Sequence, residues 1–100
     1  MHQFDLKKKT AVITGGAQGF GLEIAKKFLL SGSKVFIWDI DEKELTKATK
    51  EINNPKLNYN VVDVSNFDQV QKTATSISSN NKIDILINNA GITGDRKSVV

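Results

Sequence analysis

Thr14-Gly15-Gly16-Ala17-Gln18-Gly19-Phe20-Gly21 lies between the apolar run Ala11-Val12-Ile13 and a stretch with helical spacing, and Asp39 closes the next apolar run. Glycines spaced Gly15-x-x-x-Gly19-x-Gly21 let a chain leave a strand and enter a helix at once. Gly15 supplies a backbone conformation that a side chain would forbid. Gly19 removes a Cβ where a ligand must approach the helix N-terminus, and Gly21 lets the helix pack closely on the sheet. Free N–H groups near Gly19 and Phe20, together with the helix dipole, favour an anion. Asp39, at the end of the second strand, can accept from both hydroxyls of a ribose. Turn and acid together predict a dinucleotide site, with the pyrophosphate on the turn and the adenosine ribose on the carboxylate.

The same acid predicts which dinucleotide. Two unit charges about 4 Å apart cost roughly 4 kcal/mol at an effective dielectric near 20, so Asp39 would repel a 2′-phosphate. No cation stands beside it in sequence, because Ile40 follows and Gln18 in the turn is neutral. NAD is therefore preferred over NADP. A helix cap is the structural alternative for Asp39, but Asp41 suits that role better.

Working outward, the chain reads as a series of strand–helix units. Thr10–Thr14 is the first strand, and Phe20, Ile24, Ala25, Phe28 and Leu29 give the first helix an inward face. Ser31-Gly32-Ser33 ends it, with Gly32 suited to a left-handed turn. Val35-Phe36-Ile37-Trp38 is the second strand. Asp41 caps a second helix with Glu44 three residues on, and Leu45, Ala48 and Ile52 form its inward stripe. Asn53-Asn54-Pro55 stops it. Leu57, Tyr59 and Val61 alternate with Asn58 and Asn60 in a half-buried third strand. Ser65 is expected to cap a third helix whose inward residues are Phe67, Val70, Ala74 and Ile77, broken by Ser78-Ser79-Asn80-Asn81. Ile83–Asn88 is the fourth strand.

Strands alternating with helices need crossover connections and so form a parallel sheet. Continuous apolar runs fit strands covered on both faces, whereas alternation fits an edge. The first, second and fourth strands are continuous and the third alternates. The predicted fold is α/β: a Rossmann-type doubly wound parallel sheet, a three-layer αβα sandwich with strand order 3-2-1-4. That order leaves the apolar fourth strand at an edge, where exposure invites aggregation. Residues 1–100 are accordingly expected to be the N-terminal part of one larger dinucleotide-binding domain.

Bulk properties narrow the function further. Of 100 residues, 39% are hydrophobic and 25% charged, as in ordinary globular proteins. There is no cysteine, which removes disulfides, thiolate metal ligands and thiol nucleophiles. His2 is the sole histidine and has no zinc-ligating partner, so no metal site is expected. Lys7-Lys8-Lys9 is the one dense basic run within a net charge of +3. It reads as a solvated lead-in to the first strand, with no nucleic-acid partner. No stretch approaches the roughly 20 apolar residues that span a bilayer, and the first apolar run is too short for a signal peptide. A cytoplasmic protein without membrane contact is expected.

With these residues assembled, the chain resembles the short-chain dehydrogenase/reductase family over almost its whole length. Thr14-Gly15-x-x-x-Gly19-x-Gly21 is similar to the family's cofactor turn. Asp63-Val64, after the third strand, is similar to its adenine-contacting acid and neighbour. Asn88-Asn89-Ala90-Gly91 is similar to its Asn-Asn-Ala-Gly motif. The resemblance implies that Asp63 accepts from the adenine amino group while the Val64 backbone flanks the ring. It implies that Asn89, Ala90 and Gly91 run past the adenosine ribose, and that Asn88 ties neighbouring strands together.

The resemblance also implies chemistry that this stretch does not contain. The family uses a serine and a Tyr-x-x-x-Lys pair to move the proton of an alcohol or ketone while nicotinamide carries the hydride. The sole tyrosine is Tyr59, with Asp63 four residues later, and Ser98 stands too close to the Asn-Asn-Ala-Gly motif. No catalytic residue is assigned here. The expectation is an NAD(P)-dependent oxidoreductase acting on a small alcohol or ketone, a homo-oligomer at full length. A 3-oxoacyl-thioester reductase is one subgroup; Asp39 leans towards an NAD-using polyol, hydroxy-acid or secondary-alcohol dehydrogenase. The alternative from another class is a non-catalytic dinucleotide-binding or sensing module.

Overall fold

The computed structural model describes residues 7–89. Four strands alternate with three helices: β1 (Thr10–Thr14), α1 (Gly19–Leu30), β2 (Lys34–Asp39), α2 (Glu42–Ile52), β3 (Leu57–Val61), α3 (Phe67–Ser78) and β4 (Ile85–Asn88). The strands form one sheet in the order β3-β2-β1-β4, and every neighbouring pair is parallel. Thr14 stands beside Trp38 on one side and Asn88 on the other, and Asp39 stands beside Val61. The C-terminal ends of all four strands therefore gather on one edge.

Alternating residues of the central strands feed two cores. Ile13, Val35 and Ile37 pack with Ala25 and Leu29 of α1 and Leu45 and Ala48 of α2. Val12, Phe36 and Trp38 turn to the opposite face and pack with Val62 and Ile77. Helices thus cover both faces, which is the three-layer arrangement the apolar runs imply. Ile37 and Leu45 are fully enclosed, and burying such a side chain contributes about 1.5–3 kcal/mol. β1 is buried along its whole length, as a strand covered on both faces requires.

The helix ends follow local chemistry. Gly32 adopts φ 91° after α1, and Ser33 N–H donates to the Phe28 carbonyl while Gly32 N–H donates to Leu29. These two bonds form a Schellman closure that satisfies the last carbonyls. Asp41 accepts from Glu44 N–H at 3.2 Å and caps α2. Asn53, at φ 49°, ends α2 with its N–H on the Thr49 carbonyl.

Several local expectations are corrected. Asn66, not Ser65, caps α3, accepting from Gln69 N–H at 3.1 Å. Ser65 is diverted because its hydroxyl and N–H both donate to Asp63. Phe20 and Phe67 do not face inward; they are 70% and 72% exposed. Both lie in the first turn, where side chains tilt back past the helix start instead of onto the sheet. Val61, the last residue of the edge strand β3, is exposed. β4 begins at Ile85 instead of Ile83, because Thr10 N–H bonds the Asp84 carboxylate in place of a ladder carbonyl. Its outer residues Leu86 and Asn88 are exposed, so among the described residues β4 is covered on one face only.

Candidate functional site at the strand C-termini

The glycine turn is held from below by β2. Gly16 N–H donates to the Trp38 carbonyl at 3.1 Å, and Ala17 N–H to Asp39 Oδ2 at 3.3 Å. Gly15 and Gly19 have φ values of 64° and 62°, the left-handed region that glycine enters without penalty. A Cβ on Gly19 would meet nothing within 4 Å, so the space before α1 is open. A Cβ on Gly21 would collide with the Gly15 carbonyl oxygen and the Asn89 amide. Gly21 is what allows the helix to close against the turn.

α1 begins without a side-chain cap: Gln18 occupies that position, and its side chain makes no capping bond. Its first turn contains no acid. The first N–H groups of a helix have no partner within it and carry the positive end of the dipole. An anion is the group that this end lacks.

Asp39 sits beside the turn with a divided carboxylate. Oδ2 accepts from Ala17 N–H, while Oδ1 accepts from Ile40 N–H at 2.8 Å and Asp41 N–H at 3.3 Å. These bonds fix the carboxylate at the strand end; Oδ1 is filled by its two N–H donors, and Oδ2, with one, keeps lone-pair capacity for a ligand hydroxyl. Asp63 is held similarly. Its N–H donates to Gln69 Oε1 at 2.9 Å, and its Oδ1 accepts from Ser65 Oγ at 2.6 Å and Ser65 N–H at 3.0 Å. The Ser65 hydroxyl first, and the Ser65 backbone second, hold the Asp63 carboxyl below the usual carboxylate range. Oδ2 has no partner among the described residues.

Gly15, Asp39, Ile40, Asp63 and Val64 line one cleft of about 150 Å³, together with Trp38 and Val62. Five of the residues expected to contact a cofactor thus meet around one space, although 48 positions separate Gly15 from Asp63. Gln18, Gly19, Phe20 and Gly21 do not line this cleft; the first three are exposed and Gly21 is buried. Asn89 is buried; its Nδ2 donates to the Gly15 carbonyl at 3.1 Å, and its Oδ1 has no partner among the described residues. Asn88 accepts from the Thr14 hydroxyl at 3.2 Å, so it joins β4 to β1. Ala90 and Gly91 lie outside the described residues, as do His2 and Ser98.

Three contributions escape sequence reasoning. Gly16 is pressed against Ile37, where a Cβ would approach Cγ2 to 2.6 Å. Val62 and Trp38 form apolar walls of the cleft, Trp38 with its Nε1–H satisfied by Asn60 Oδ1 at 3.1 Å. Asn89 locks the turn to the end of β4. The doubled glycine and the Val61-Val62 pair are the only sequence signals for the first two. No group of three or more His, Asp or Glu residues among those described could hold a metal.

A family model described as short chain dehydrogenase matches residues 9–99. The chain belongs to the short-chain dehydrogenase family. It is 37% identical over 94 residues to the 3-oxoacyl-(acyl-carrier-protein) reductase FabG of Chlamydia trachomatis, covering 90% of this chain and 38% of that protein. It is 38% identical over 94 residues to 3beta-hydroxysteroid dehydrogenase 2 of Eggerthella lenta, covering 91% of this chain and 36% of that protein. Among solved structures, a short-chain dehydrogenase/reductase from Burkholderia phymatum in complex with NAD superposes with a TM-score of 0.75 at 32% identity, covering 84% of this chain and 31% of the other. A short-chain dehydrogenase from Novosphingobium aromaticivorans gives 0.78 at 28% identity, with 82% and 31% covered. The chain thus spans about a third of the length of these proteins, 31% to 38%. No helix among the described residues is long and apolar enough to cross a membrane.

Proposed function

We propose that the chain is the adenosine- and pyrophosphate-binding part of an NAD-dependent oxidoreductase that interconverts a small secondary alcohol and its ketone. The observation that carries this reading is the meeting of three features on one edge: the uncapped start of α1, the Asp39 carboxylate and the Asp63–Val64 wall. The N–H groups of the first α1 turn would take the diphosphate, with Gly19 leaving room for it. Asp39 would accept from the ribose hydroxyls. Asp63 Oδ2 would accept from the adenine amino group while Val64 and Ile40 flank the ring.

Asn89 adds an independent fit. A buried carbonyl oxygen without a partner costs about 1–3 kcal/mol, and Asn89 Oδ1 has none among the described residues. A ligand hydroxyl would satisfy it. When bound, the nicotinamide supplies hydride transfer; the residues described here bind, orient and select. Acid–base groups would lie beyond residue 100, in the remainder of the same domain.

The relatives' names pair a carbonyl with a hydroxyl: a 3-oxoacyl reductase and a 3beta-hydroxysteroid dehydrogenase. Those names support a ketone or secondary alcohol as substrate. Asp39 supports NAD, since a 2′-phosphate would face an anion held by three N–H groups. Steady-state assays of the full-length protein with NAD and NADP across secondary alcohols and 3-oxoacyl thioesters test the proposal. Turnover that favours NAD is expected. Absence of turnover and of binding with either dinucleotide overturns it.

A further inference from the structure

The basic run Lys7-Lys8-Lys9 does not stand alone in the fold. A parallel sheet starts all its strands at one edge, opposite the glycine turn. The register sets Lys34 beside Thr10 and Leu57 beside Val35, so Lys9, Lys34 and Lys56 arrive together. Lys34 N–H donates to the Lys9 carbonyl and Val35 N–H to the Lys56 carbonyl, at 3.0 and 2.9 Å. Lys7, Lys8, Lys9, Lys34 and Lys56, with Asn81, line a cavity of about 430 Å³ that has no acid among its described lining residues.

Two of these ammonium groups are anchored by neutral acceptors. Lys34 Nζ donates to Asn81 Oδ1 at 3.0 Å, and Lys56 Nζ donates to the Gly32 carbonyl at 3.0 Å. An ammonium has three donors, so each retains donors for a ligand. Holding the side chains in place beforehand lowers the ordering cost of binding. Asp84 reaches this edge, and its Oδ2 is engaged by Thr10 N–H at 2.9 Å. The volume falls within the roughly 300–1,000 Å³ of small-ligand sites. Lys8, Lys9, Lys34 and Lys56 set four cations around a space of that size, which calls for a compact ligand with several negative charges.

We propose that this cavity binds a small polyphosphate anion, at the end of the sheet opposite the dinucleotide cleft. Inorganic triphosphate and the tail of a nucleoside triphosphate share the required chemistry. A structural role alone, in which the lysines offset the negative C-terminal ends of the helices, would give no saturable site.

Calorimetric titration of the full-length protein with inorganic triphosphate at low salt separates the two. One saturable event is expected, unchanged by saturating NAD and accompanied by amide NMR shifts at Lys9, Lys34 and Lys56. The double variant Lys8→Gln/Lys56→Gln should raise Kd about tenfold or more, equivalent to about 1.4 kcal/mol, while NAD affinity holds. ATP binding no tighter than triphosphate assigns the site to the phosphates, and tighter binding to a nucleoside triphosphate. Absence of saturable heat, displacement by NAD, or an amide response at Gly15–Gly21 instead would overturn the proposal.

Discussion

Three helices start at the same edge of the sheet, and two of them close their N-termini with their own side chains. Asp41 caps α2 and Asn66 caps α3, with Glu42, Glu44 and Asp68 adding negative charge to the first turns. α1 has neither device: Gln18 does not cap it, and its first turn holds no acid. The α1 start is flanked by glycines that leave it open, one with unobstructed space where a Cβ would be. A cap stabilises a helix by about 1 kcal/mol, so leaving it off α1 costs stability and keeps the donors available. The helix that sacrifices its cap is the one beside Asp39.

The largest effect should come from removing the charge that the open helix end works with. Replacing Asp39 with Asn should erase most of the discrimination between NAD and NADP, up to about 4 kcal/mol for charges near 4 Å. Comparing the two Kd values in wild type and variant measures it. An unchanged ratio would detach Asp39 from the site. Next is Gly21→Ala, whose methyl group would enter the Gly15 carbonyl and the Asn89 amide. A loss of about 1–3 kcal/mol is expected in urea unfolding, as for other overpacked positions, together with weaker dinucleotide binding.

The sharpest test of the contrast is to give α1 the cap it lacks. Gln18→Asp should stabilise the fold by about 0.5–1 kcal/mol and weaken dinucleotide binding, because the new carboxylate competes for the same N–H groups. Asp41→Ala and Asn66→Ala should each cost about 1 kcal/mol and leave affinity unchanged. If all three substitutions altered binding alike, the helix starts would be equivalent after all. The smallest effect concerns Asp63. Its folded pKa lies below the unfolded value, so its contribution is full above the ordinary carboxylate range and disappears as pH falls through the lowered value. Ser65→Ala should move the Asp63 carbon resonances to a higher midpoint in an NMR titration, with no change at neutral pH.

Much of this was legible in the sequence because it depends on short-range signals. The apolar runs of β1 and β2, the glycine spacing and the alternation in Leu57–Val61 point to the strand order, since they record which faces those strands bury; the apolar run of β4, covered on one face among the described residues, does not. Asp41 as a cap was equally readable, because capping acts over three residues. The failures share a cause. Ser65 lost the cap because Asp63 claimed its hydroxyl and N–H, and two adjacent candidates cannot be ranked without knowing such a competitor. Phe20 and Phe67 fit a helical stripe, yet they overhang the helix ends, which periodicity does not register. The contact of Gly16 with Ile37 and the bond from Asn89 to Gly15 join residues 21 and 74 positions apart, and only the sheet register creates them.

Amide NMR of the full-length protein during titration with NAD tests the reading of the open helix end most directly. The largest shifts should fall on Gly15 to Gly21, with Ile40 and Val64 following. Shifts confined to the capped starts of α2 and α3, or none anywhere on this edge at saturating NAD, would contradict it.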